Sequence, residues 1–80
     1  MSDEEFKTAV LEILRDLVWV CSVMATELIR VVENTAVAIK GESVLERCAP
    51  EHNEICKKLV EIAEKYRPGE KVLRRHVLGH

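Results

Sequence analysis

From Phe6 onward, apolar residues recur at Val10, Ile13, Leu17, Val20, Met24, Leu28, Val31 and Ala38, in steps that suit an α-helix and no strand. A second row lies beside the first on the same helix: Leu11, Leu14, Val18, Cys21, Ala25, Ile29, Val32 and Ala36. Ser2 and Glu5 have the spacing of a capping box, so the helix is predicted to begin at Asp3, and neither proline nor glycine interrupts it before Gly41. The pattern therefore predicts one helix over 3–40, on the order of 55 Å long at ~1.5 Å per residue, with any kink near Asn34-Thr35. Trp19 and Val23 widen its apolar arc beyond what a single neighbouring helix covers.

Gly41 closes this helix, and Ser43 with Glu46 forms a second capping box that predicts a short turn over 44–48. Pro50 lacks an N–H and its ring would clash with the carbonyl of Glu46, so it is read as the first residue of a fresh helix over 50–66. The buried face of that helix is expected to be Ile55, Cys56, Leu59, Val60, Ile62, Ala63 and Tyr66, and the i,i+4 pairs Glu54–Lys58 and Glu61–Lys65 mark the solvated side. Arg67-Pro68-Gly69 breaks the helix, and Val72, Leu73, Val77 and Leu78 predict an amphipathic helical tail over 70–78. The expectation is a single all-α domain over 1–80: a long helix and a shorter one in a hairpin, with a C-terminal helical extension. The first helix carries more apolar surface than the second can cover, so two hairpins are expected to associate as a dimeric four-helix bundle with coiled-coil-like packing.

Composition narrows this picture. The chain has 80 residues, 48% of them hydrophobic and 32% charged, which describes a folded domain that buries little surface by itself. Only Phe6, Trp19 and Tyr66 are aromatic, so the core is aliphatic and little is available for stacking on bases or sugars. The net charge of -2 gives no overall attraction to nucleic acid or anionic lipid. Glu-rich, Gln-free usage resembles thermophile composition. An odd number of cysteines, 3, points to a reducing compartment or a site that uses thiols, and the acidic opening Ser2-Asp3-Glu4-Glu5 is unlike a secretory signal. A cytoplasmic protein with no membrane association is expected.

Three constellations carry possible chemistry. Cys48, His52 and Cys56 offer thiolate and imidazole ligands suited to zinc, yet on a continuous helix residues 48 and 56 stand about 12 Å apart, so they converge only if Pro50 turns the chain back. The alternative is that Cys56 is a small buried hydrophobe and His52 a residue of the helix start. Lys71, Arg74, Arg75 and His76 form the one basic cluster, which either touches nucleic-acid phosphates or complements a helix C-terminus. Glu51-x-x-Glu54 and Glu61-x-x-Glu64 set carboxylates one turn apart, an arrangement similar to the Mg2+-holding pairs of helical nucleotide pyrophosphohydrolases, but lysines sit among them.

The stretch from Arg75 to His80 resembles the R-x4-6-H motif of HEPN-domain ribonucleases. That resemblance covers six residues, and it implies helical dimers in which Arg75 and His80 act in metal-independent RNA cleavage at the dimer cleft. No phosphate-binding loop, nucleophile elbow or Ser-His-Asp set can be assembled from 3 glycines and these few serines. The function expected from the residues is accordingly that of a small homo-oligomeric helical adaptor with a protein partner, no catalytic site and no cofactor. Its surface is expected at Leu14, Val18, Trp19, Cys21, Val23 and Ala25, with Trp19 as anchor.

Overall fold

The computed structural model describes residues 2–79. Helix α1 spans Asp3–Lys40, a 3-10 turn spans Glu42–Val44, and α2 (Leu45–Tyr66) and α3 (Val72–Leu78) follow; no strand occurs among the described residues. The Oγ of Ser2 accepts the backbone N–H of Glu5 at 3.1 Å, which caps the start of α1 as its sequence predicts. At the other end Gly41 adopts φ +86, a left-handed conformation that favours glycine, and its N–H donates to the carbonyl of Val37 at 2.8 Å. Between them α1 runs as one 38-residue helix through Asn34-Thr35.

The second helix differs from its expected form. Pro50 is not its first residue; α2 starts at Leu45 and passes through the proline. The 3-10 turn feeds directly into α2, so the backbone is already helical when it reaches Pro50 and only one rung of hydrogen bonding is lost near the helix start. Ser43 lies within that turn and makes no capping bond to α2. The tail forms a helix two residues later than expected, over 72–78.

The hairpin closes on an unexpected face of α1. Ser22 and Thr26 are its buried residues, at 3% and 2% exposure, while most of the predicted first row stands in solvent. Both hydroxyls can be buried because each donates to a carbonyl of its own helix, Ser22 to Val18 at 2.8 Å and Thr26 to Val23 at 2.9 Å. Their small side chains let α2 approach closely. From α2 the buried residues are Cys56, Val60 and Ala63. Leu73 of α3 completes a cluster with Val60 and Ala63, against which Trp19, Val23, Val77 and Leu78 pack.

Polar contacts fasten the open end. The guanidinium of Arg67, just after α2, lies 5.2 Å from the ring centroid of Trp19, 2.6 Å from Asp16 and 3.5 Å from Glu70. Arg74 grips both carboxylate oxygens of Glu64, at 2.8 and 3.0 Å, while Lys71 reaches the same carboxylate at 3.3 Å. Arg30 donates to the carbonyl of His76 at 3.0 Å, and the His76 ring stands 2.6 Å from Glu27, so α3 is tied to both long helices.

Among the described residues the polar cross-links to α1 end at Asp16, and before it Tyr66 lies beside Leu11, Leu14 and Arg15. Residues 3–15 project beyond this last cross-link by about 20 Å at 1.5 Å per residue. The whole is long and thin, 57 × 22 × 16 Å, with a radius of gyration of 16.3 Å; a compact chain of this length has about 12 Å.

Candidate functional site

Two apolar surfaces remain open. The first is the back of α1, where Phe6, Ile13, Leu17, Val20, Met24, Leu28 and Val31 are all between 48% and 64% exposed. The second flanks the hairpin groove. Along α1 it comprises Leu11, Leu14 and Val32, exposed, with Val18, Ala25, Ile29 and Ala36 half-buried against the hairpin. Along α2 it continues through Ile55, Ile62 and Tyr66, which the sequence places on the buried face but which are 47%, 47% and 41% exposed. The reason is geometric. Cys56, Val60 and Ala63 form the narrow line that meets α1, and Ile55, Ile62 and Tyr66 lie to one side of it, away from the Glu64 side that α3 occupies. Leu11, Leu14, Arg15, Val18 and Tyr66 together line an open pocket of about 400 Å³ where α2 ends beside the projecting part of α1.

The expected surface residues therefore divide. Leu14 and Cys21 are exposed, Val18 and Ala25 lie half-buried at the edge of the groove, and Trp19 and Val23 turn inward against the Val60–Ala63–Leu73 cluster. The spacing of Ile55, Ile62 and Tyr66, offset by one residue from Cys56 and Ala63, is the signal in the sequence that distinguishes open from packed positions on α2.

The structure separates the other candidate groups. Cys48 donates its thiol to the carbonyl of Val44 at 3.5 Å, and His52 Nδ1 lies 2.9 Å from Glu33 in a half-buried pair that bridges α2 to α1. Cys56 is buried, and burial, reinforced by the negative charge of Glu33 and opposed by Arg30, pushes its thiol up from the ordinary value, away from the thiolate that a metal or a nucleophilic role needs. Among the described residues no group of three or more His, Cys, Asp or Glu side chains converges to hold an ion. In the basic tail, Lys71 and Arg74 are engaged by Glu64, and His76 by Glu27, while Arg75 is exposed. The Arg74 guanidinium, followed by Lys71, lowers the Glu64 carboxyl to about 2. Of the acidic pairs, Glu64 is thus committed to α3 and Glu54 pairs with Lys57 at 3.7 Å. Arg75 sits on α3, and His80, the other half of the HEPN-like motif, lies outside the described residues.

No helix of the described residues is long and apolar enough to cross a membrane. Compared with known proteins, the chain matches no family model, no curated protein and no solved structure.

Proposed function

We propose that the protein is a small homo-oligomeric helical interaction module that works by presenting the surface of α1. The observation that carries this reading is the amount of surface left in solvent, with large hydrophobic side chains exposed along α1. A compact monomer of 9.1 kDa exposes about 4,900 Å², whereas this chain exposes 6108 Å², an excess of roughly 1,200 Å². A partner in a standard interface contributes about 800 Å². The buried hydrophobic side chains, by contrast, are only Cys56, Val60, Ala63 and Leu73 among the described residues. The projecting part of α1 adds to the case. A helical segment of about four turns with few neighbours is marginal in water, and this one carries Phe6, Ile13 and Leu14 exposed.

The groove face suits self-association, and the back of α1 is a second apolar strip available to a partner protein or to further copies. Neither role needs a cofactor or a reacting group. The test is the native mass of the wild-type protein beside that of Leu14→Lys. Leu14 is 51% exposed in the single chain, so lysine there costs a monomer little. The wild-type is expected as a dimer or larger species whose thermal midpoint rises with protein concentration, and the variant is expected to lose both properties. A wild-type protein that is monomeric and unfolds cooperatively at a concentration-independent temperature would overturn the reading.

A further inference from the structure

Resting on that self-association reading, we infer that the occupant of the groove face is a second copy running antiparallel, with the two-fold axis level with Cys21 and Ser22 at the midpoint of α1. The groove row of α1 closes on itself under this operation. Reversal about that point sets Leu11 against Val32, Leu14 against Ile29 and Val18 against Ala25 of the other copy, and it brings Asp3 level with Lys40. Val18, Cys21 and Ala25 fall nearest the axis, where two crossing helices approach most closely, and the larger Leu11, Leu14 and Ile29 fall further out. The pocket lined by Leu11, Leu14, Val18 and Tyr66 then receives Ile29 and Val32 of the second copy.

Charge selects the antiparallel sense. The first turn of α1 carries Asp3, Glu4 and Glu5, and its last turn carries Lys40. Lys40 and Arg47 line a small hollow at the closed end of the hairpin. Glu42 and Glu46 stand at that same end, so the sense follows from keeping the acidic starts apart: an antiparallel pair sets each of them level with Lys40 of the other copy and opposes the two helix dipoles favourably. A parallel pair would stack Asp3, Glu4 and Glu5 on their own copies. The shape agrees with the charge. The antiparallel pair seats each projecting segment, residues 3–15, on the hairpin of the other copy, whereas a parallel pair leaves the two segments with only each other.

The experiment is zero-length carboxyl-to-amine cross-linking of the wild-type protein, mixed from two isotopic labels and followed by native mass measurement and peptide mapping. Within one chain Lys40 and the first-turn acids stand at opposite ends of a 38-residue helix, so a link between them can form only between chains. Links from Lys40 to Asp3, Glu4 or Glu5 of the differently labelled copy are the expected result. Interchain links from Lys7 to those acids, in a species of dimer mass, would overturn the antiparallel pairing while leaving self-association intact. A monomer mass would remove both. A dimer that yields neither link is decided by a copper-binding histidine pair, Glu4→His with Thr8→His, on the exposed start of α1. Its two copper ions are expected about 45 Å apart in the antiparallel pair, and a separation of about 10–20 Å would overturn it.

Discussion

The two sides of α1 invert the usual relation between hydrophobicity and burial. The side that closes the hairpin places Ser22 and Thr26 at its centre, flanked by Arg30 and Glu33, and is the more deeply buried. The side facing away carries Ile13, Leu17, Val20, Met24, Leu28 and Val31, and all of them are exposed. Hydroxyl groups that bond back to their own helix cost little to bury, and small side chains permit close approach, so the intrachain contact is set by fit more than by apolar area. The apolar area is left for contacts that one chain cannot make.

The largest expected effect comes from the packed side. Val60 is fully buried, and Val60→Asp places a carboxylate within the apolar cluster of Ala63 and Leu73; a loss on the order of 4 kcal/mol or more is expected, read as absence of a cooperative transition in denaturant. A retained transition would mean that the hairpin holds together without its central contact. Next, Trp19→Ala removes the ring that packs on the Leu73 cluster and lies beneath Arg67, and a cost of about 2–3 kcal/mol is expected by urea unfolding. Were Trp19 instead an anchor between copies, the same substitution would change the native mass at high concentration and leave the Arg67–Asp16 contact in place.

Thr26→Leu tests the inversion directly. It makes the packed side more apolar but fills the space that lets the helices meet, so it is expected to destabilise by about 1–2 kcal/mol, read by the same unfolding. A stabilised variant would show that apolar area does govern this contact. The smallest effect is on α3. Because the Glu64 carboxyl is lowered from 4.5 to about 2 by Arg74 and Lys71, its contribution is complete above pH 4.5 and disappears as the pH falls toward 2. Amide exchange of α3 is therefore expected to quicken across that window ahead of α2, and Glu64→Gln is expected to remove the pH dependence.

Much of this architecture is legible residue by residue. The serine cap, the unbroken apolar spacing and Gly41 specify α1 from Asp3 to Lys40, and Arg67-Pro68-Gly69 specifies where α2 stops, because these signals act through local backbone chemistry. Pro50 was not legible in the same way: alone it reads as a helix start, and only the helical turn already formed before it makes it an internal residue. Cys48, His52 and Cys56 look like a ligand set by residue type, but His52 turns to Glu33, a residue 19 positions away whose proximity no local spacing reveals.

What the sequence determined by itself was the set of helices and the fact that α1 is apolar over most of its circumference, since periodicity and capping are properties of neighbouring residues. Only the tertiary structure decided which arc of α1 the chain keeps for itself. That choice depends on the shape of two surfaces brought together, the Ser22–Thr26 arc against Cys56, Val60 and Ala63, and on the anchoring of Trp19 by Arg67 and of Glu64 by α3. The same packing left Ile55, Ile62 and Tyr66 facing outward and set Tyr66 beside Leu11 and Leu14, and so assembled an open face from two helices that neither one contains alone.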